Sequence, residues 1–432
     1  MMPPRVKTLP KLTPDILKRL VPEALTMKYD GMVYDEPRPC PRCSCEDSMR
    51  HEMKEKTFCT VITDEGFKGV RVGVKRFKCK RCGFVFEGKA PFYDGCQYGS
   101  PVVDLSLALA ASNPYNRVES ILMQHGIQVD RDTVKNYAKR FREKAAKYAG
   151  IPVMDDAKIG MNVLKILFGV DTVEDLRKSR PQGKFDGVMD ETYPRVKGAK
   201  KALAEERYAK KESGERQPRF PRSFTLVSSY LNNLRCFASI SCRNAPFNGI
   251  VADALARPLH GCDAVVTDGS ECYDPIRSHR CLFHKMGNFF AIDPFLQRAR
   301  KEKNLPPWVM SQHMHQLYSF AEEEYERWLK GRYPNLVDPE TGRFIGAMTT
   351  NSMEGGNHRL KHELRADYVD DESAEARCLL MAIRDSAKTF MNGHPEQSFA
   401  AMNSGFEYGM LMGASTTDGT NNGMTQMLAM AA

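Results

Sequence analysis

Four of the thirteen cysteines fall into two short pairs, Cys40-Pro-Arg-Cys43 and Cys79-Lys-Arg-Cys82. Two such knuckles can bring four thiolates onto one Zn²⁺ as a tetrahedron, and the chain between them only has to return as a hairpin. A redox C-x-x-C motif needs just one pair, so the doubled spacing favours zinc. Cys45, Cys59 and Cys96 lie nearby and are read as buried or free thiols, with Cys45 an alternative ligand to Cys43. The count is odd, and the opening MMPPRVKTLPKLTPDILKRL lacks the apolar block of a secretory signal. Reduced thiols and a metal are therefore expected in place of a disulfide framework.

The second set of chemically capable residues is acidic. Phe185-Asp186-Gly187-Val188-Met189-Asp190-Glu191-Thr192-Tyr193 reads as an apolar strand running into carboxylates, and Ala264-Val265-Val266-Thr267-Asp268 as another, broken by Gly269. Between them SFTLVSSYL (223–231) and RCFASISCR (235–243) predict two strands joined at Asn232-Asn233, followed by a helix over 248–257. That order suits a mixed sheet with carboxylates at adjacent strand ends. A third acidic position, Glu354, stands in TTNSMEGGNHRLK (349–361). Asn351 and Glu354 fit a helix capping box. The two glycines that follow each cost roughly 1 kcal/mol against Ala in a first helical turn. Such a cost fits a backbone that a metal or a DNA strand approaches closely.

Charge is unevenly spread. Residues 68–90 hold eight Lys/Arg against one Glu, residues 195–222 ten basic against four acidic side chains, and residues 366–432 three basic against nine acidic. A polyanion-binding surface confined to part of the molecule is expected. Helices are predicted from Ser100-Pro101, over Tyr115–Gln124, and over 131–148 with Asp130 as its cap. In the third, Val134, Tyr137, Phe141, Ala145 and Tyr148 form the inward stripe, and Lys135, Lys139 and Arg142 fall on another face. A short turn before a basic amphipathic helix is how a helix-turn-helix presents its reader to the DNA major groove. No apolar run reaches the ~18 residues of a membrane helix. A cytoplasmic, nucleoid-associated protein without a membrane partner is expected.

MDETYPRVKG (189–198), VVTDGSECY (265–273), CLFH (281–284) and TTNSMEGGNHRLK (349–361), in that order, resemble the signature blocks of DDE transposases of prokaryotic insertion sequences, Mutator-like group. The resemblance covers roughly residues 38 to 366. It implies a multidomain α+β chain: a zinc ribbon (38–92), a helix-turn-helix domain (98–150), and an RNase H-like mixed α/β catalytic core (185–390). An N-terminal extension (1–37), a helical connector (151–184) and a partly disordered tail (391–432) complete the expected organisation.

By that resemblance Asp190, Asp268 and Glu354 are the catalytic triad, with Asp186 the rival for the first place. Their separations are 78 and 86 residues, and the longer one implies an α-helical insertion at about 286–345. Cys281, His284 and Asn351 would support the site, the first two as the family's C-x-x-H. Arg359 and Lys361, with Lys135, Lys139 and Arg142, would contact double-stranded DNA of the element ends and target, on which a homo-oligomer is implied. Phosphodiester hydrolysis and strand transfer are in-line displacements at phosphorus. Carboxylates suit them because hard Mg²⁺ (or Mn²⁺) ions want oxygen ligands and stabilise attacking and leaving oxygens. The alternatives are a DNA-binding regulator derived from a transposase, without catalysis, and a nuclease of this fold that cuts without strand transfer.

Overall fold

The computed structural model describes residues 15–153, 157–179, 181, 183–194, 199–213, 224–243, 247–282, 284, 322–364 and 371–393. It is mixed α/β and divides into two compact units, one through Lys144 and one from Ala145, the division falling inside a helix.

The first unit opens with α1 (Asp15–Tyr29) and the two-residue β1 (Val33–Tyr34). A long hairpin follows, β2 (Ser48–Thr63) and β3 (Gly66–Cys79), with β4 (Val85–Glu87) added along β3. Its organising side chain is Phe58, fully buried and stacked on Tyr29 at 3.8 Å. Gly99 donates its N–H to the Phe58 carbonyl at 2.7 Å, and a Cβ there would fall 2.3 Å from the Phe58 ring, so only glycine allows this approach. Three helices then follow: α2 (Ser100–Ala110), α3 (Tyr115–Gln124) and α4 (Arg131–Ala149). The turn between α3 and α4 is tied to the hairpin by Ile62 N–H to Gly126 O and Gln128 N–H to Thr60 O, both 2.8 Å. Asp130 caps α4 as the sequence suggests, accepting from Thr133 N–H at 2.8 Å. Val134, Tyr137, Phe141 and Ala145 are buried, but Tyr148 is 40% exposed and drops out of the inward stripe.

The second unit is built on a seven-stranded sheet. It begins with β5 (Gly150–Val153) and β6 (Ala157–Asn162), then α5 (Val163–Phe168) and α6 (Val173–Ser179). This corrects the helical connector expected over 151–184. Its first third is an antiparallel pair, because Ile151, Ile159 and Met161 bury themselves by extending the sheet past its third core strand. The sheet continues with β7 (Asp186–Thr192), β8 (Thr225–Leu231) and β9 (Cys236–Arg243), with helix α7 (Ala199–Ser213) between the first two. Helix α8 (Gly249–Ala256), capped by the Asn248 side chain, leads to β10 (Ala264–Thr267) and β11 (His279–Arg280). The order across the sheet is β11-β10-β7-β8-β9-β6-β5. Strands β7, β10 and β11 are mutually parallel, and β7, β8 and β9 antiparallel in turn.

Helices α9 (Asn351–Leu364) and α10 (Asp371–Gly393) complete the unit. Adjacent serines on β8 show how the layers form, since neighbours on a strand face opposite ways. Ser229 shares a hydrogen bond with Ser239, whose Oγ donates to Leu255 O of α8, while Ser228 reaches Asn357 of α9. Helix α10 lies against β9, where Ser386 Oγ accepts from Phe237 N–H at 3.0 Å. Of the expected insertion, 322–332 is helical and Pro334–Leu336 a 3₁₀ turn. Residues 285–321 lie outside the described residues, as do the N-terminal 1–14 and the tail from 394.

Candidate metal centres and nucleic-acid surface

The cysteine site forms in the first unit. Backbone pairing of Ser48 with Cys79 closes the base of the β2–β3 hairpin, and each knuckle turns tightly around its cysteines. Ser44 N–H bonds Cys40 O at 2.8 Å and Gly83 N–H bonds Cys79 O at 3.0 Å. The thiol sulfurs of Cys40, Cys43, Cys79 and Cys82 all lie within 4.8 Å of one another. Cys40–Cys82 and Cys43–Cys79 are 3.6 Å apart and Cys43–Cys82 3.5 Å. A zinc–thiolate tetrahedron with bonds of about 2.3 Å has edges of about 3.8 Å, so the set fits Zn²⁺ closely. Cys45 packs beside the cluster, but its sulfur donates to Asp47 O instead of joining the four. Backbone hydrogen bonds from Cys82, and then Arg81, lower the Cys79 thiol to about 6 against the effect of burial. Such a thiol is readily a thiolate, the form a metal binds.

The carboxylate region lies in the second unit. Parallel pairing sets Ala264 beside Asp186, Val265 beside Gly187 and Val266 beside Val188, an offset of 78 residues. Asp268 and Asp190 differ by the same 78, and Asp268 directly follows the end of β10, the parallel neighbour of the strand that carries Asp190. Their common surroundings agree with this. Burial first, and then the charges of Glu191, Asp190 and Asp268, drive the Tyr273 hydroxyl well above its ordinary value. Tyr193 is raised by burial and by the same three carboxylates, with Cys272 contributing. Asp268 accepts Ser270 N–H at 2.8 Å and makes no ion pair among the described residues.

Helix α9 covers this region from one face. Asp190 pairs directly with Ser228 across β7 and β8, so the two side chains point to the same face. Ser228 Oγ donates to Asn357 Oδ1 at 2.6 Å and sits 3.2 Å from Met353 Sδ. Asn357 is 2% exposed, and its Nδ2 has no hydrogen-bond partner among the described residues. Glu354 lies between these two anchors in sequence, but its side chain and that of Asn351 are outside the described residues. The helix starts at Asn351, so the residue before it is Thr350. Thr350 donates both its N–H and its hydroxyl to Cys281 Sγ, at 3.4 and 3.6 Å. Cys281 is fully buried and joins the strand after Asp268 to the start of α9. His284 is half-buried, with no hydrogen-bond partner for Nδ1 among the described residues.

The rival Asp186 is 3% exposed. Its Oδ2 accepts from Asn232 Nδ2 at 3.0 Å and from Ala347 N–H at 2.9 Å. Burial raises its carboxyl above the usual range, and those hydrogen bonds oppose the rise. Its hydrogen bonds tie three chain segments together. Two neighbours of the acidic residues escaped sequence reasoning. Tyr273 donates to Glu191 Oε2, and Arg280 Nε donates to Asp268 O at 3.1 Å. Both lay inside or beside quoted blocks, but only the fold brings Tyr273 from VVTDGSECY to the Glu191 carboxylate.

The basic surface is narrower than composition suggests. Of the eight cations in 68–90, five are paired: Lys68 with Asp30, Arg71 with Glu55, Arg76 with Glu52, Lys80 with Asp47 and Lys89 with Glu36. Lys75, Lys78 and Arg81 make no ion pair among the described residues, and exposed Arg42 beside the metal cluster is in the same position. Lys135, Lys139 and Arg142 are half-buried on α4. Exposed Arg359 approaches Asp385 of α10 at 3.9 Å, and Lys361 is half-exposed. No helix among the described residues is long and apolar enough to cross a membrane. No protein-family model matches the chain, and no curated protein matches it.

Proposed function

We propose that this protein is a DDE-type DNA transposase that binds the ends of a mobile element, cuts there and joins the ends to target DNA. The observation that supports the reading is the parallel pairing of β10, which Asp268 directly follows, with β7, which carries Asp190, beside a helix with Glu354 in its first turn. An antiparallel trio, a helix, and then a parallel strand ending in the second Asp is the arrangement expected of an RNase H-like core. Oxygen donors at neighbouring strand ends suit Mg²⁺ or Mn²⁺. When bound, such ions stabilise charge on the attacking and leaving oxygens. Asp190, Asp268 and Glu354 would hold them, with Ser228, Asn357, Thr350 and Cys281 fixing the helix that bears Glu354. The cysteine cluster, as a zinc ribbon, and α2–α4, as a helix-turn-helix, would bind the element ends near the nucleoid, as a homo-oligomer on DNA.

The decisive experiment incubates the protein with Mg²⁺ and a labelled duplex from the DNA flanking its own gene, together with target DNA. Joined products are expected. Cut products alone would convert the reading to a nuclease, and bound but intact DNA to a regulator.

A further inference from the structure

Arg280 stands out as a cation built into the rim of the carboxylate region and committed to no acid. It pairs with Thr267, the residue before Asp268, across the parallel strands β10 and β11. Its Nε donates to the main-chain oxygen of Asp268 at 3.1 Å. Its stem lies across Gly269, where a Cβ would fall 2.5 Å from the Arg280 Cγ and Cδ. Gly269 has φ +81, so both the conformation and the close approach of the arginine require glycine there. The Arg280 carbonyl in turn accepts from the Tyr325 hydroxyl, which fixes the residue's backbone. One guanidinium nitrogen is therefore spent on orientation. The side chain is exposed, and its remaining nitrogens make no ion pair among the described residues, with the Asp268 carboxylate or any other.

We infer that Arg280 is a phosphate-binding residue, its guanidinium held beside Asp268 to grip a backbone phosphate of the DNA strand that enters the carboxylate region. The inference rests on the transposase reading above. A planar fork with several N–H donors matches the non-bridging oxygens of a phosphate, and Arg keeps its charge at every working pH. Anchoring through Nε removes most of the side chain's freedom before DNA arrives, so little order is lost on binding. The polyanion has reason to come close: a cation at the mouth offsets the repulsion between its phosphates and several clustered carboxylates.

The test uses the full zinc-loaded chain and two variants. Arg280→Gln keeps a donor for the Asp268 carbonyl but removes the charge. Arg280→Lys keeps the charge but loses the fork. Binding is measured over a salt series, with Ca²⁺ in place of Mg²⁺, to a duplex from the gene's flanks and to one of unrelated sequence. Cleavage is then measured with Mg²⁺. For Gln the log–log salt slope should fall by about one on both duplexes. Its cleavage should fall about a hundredfold, the usual cost of removing one donor aimed at transition-state charge. Lys should restore the slope and only part of the rate. A Gln variant with the parent's slope and rate overturns the assignment while leaving the transposase reading intact. A parent that binds but never cuts, while Gln still lowers the slope, sinks the catalytic reading and leaves the phosphate contact standing. Equal loss in Gln and Lys, with a lowered unfolding temperature, would make Arg280 a merely structural clamp and overturn the assignment.

Discussion

The two candidate metal-binding regions are assembled in opposite ways. The four cysteines come from the two ends of one hairpin, and Ser48 paired with Cys79 is enough to close it. The carboxylates come from β7, the end of β10 and a helix 86 residues further on. The first site needs only local geometry. The second needs a parallel register, a helix layer and the Cys281–Thr350 link before its parts can meet. A locally closed site announces itself as spacing, whereas a globally closed one shows only as strand ends whose offset proves equal to the sheet register.

The largest effect that would sharpen this contrast is chemical. Asp190→Asn, Asp268→Asn and Glu354→Gln preserve shape but remove the charge that holds a divalent cation. Each is expected to keep the fold and DNA binding and to lose Mg²⁺-dependent cleavage and joining by several orders of magnitude, as a gel assay of labelled products would show. A Glu354→Gln protein that still joins ends would remove α9 from the site.

The cysteine site should fail structurally instead. One Zn²⁺ per chain is expected by elemental analysis of protein purified without chelator. Cys79→Ser should release it, with loss of end-specific DNA binding, because structural zinc is coupled to folding. Retained zinc in that variant would mean that the four thiols are not the ligands.

A smaller effect is expected at the junction between sheet and helix. Asn357→Ala removes a buried partner of Ser228, at a cost of about 1–3 kcal/mol measured by denaturant unfolding. Cleavage should fall more than stability explains, since the helix bearing Glu354 loses its tie to the strand facing Asp190. Ser228→Ala should reproduce the kinetic defect. Normal kinetics in both would show that Met353 packing alone seats the helix.

Much of this was legible residue by residue, and the failures have physical causes. The clustering of the cysteine pairs, the Asp130 cap and the strands that carry Asp190 and lead into Asp268 depend on local spacing, and the structure bears them out. Residues 151–162 carry no local signal of their strands, because the pairing of β6 with β9 joins residues about 80 positions apart. Tyr148 fits the stripe by period, but in the last turn of α4 the buried position is Ala149. The basic block 68–90 reads as an open polyanion surface in sequence, but acids that are distant along the chain pair with five of its eight cations. Arg280 carried no sequence signal, since its importance lies in whose carbonyl it holds.

The smallest effect concerns Asp186, four residues before Asp190 on the same face of β7, and it separates packing from chemistry. Both side-chain bonds described for it end on one oxygen, Oδ2, which an asparagine oxygen can replace. Asp186→Asn should therefore cut and join DNA nearly as the parent does, where Asp190→Asn is inactive. Stability supplies a second readout. Burial raises the folded-state pKa of Asp186 above its unfolded value near 3.9, so the protonated form is the one that folding favours. Its contribution is fully present below about pH 4 and is lost as pH rises through the raised value. The asparagine variant does not titrate, so its stability relative to the parent should improve between about pH 4 and neutrality, read as a pH-dependent gap between their unfolding midpoints. A gap that ran the other way would mean that a cation stabilises the Asp186 carboxylate. An inactive Asp186→Asn beside an active Asp190→Asn would move the first carboxylate of the site four residues toward the start of the strand.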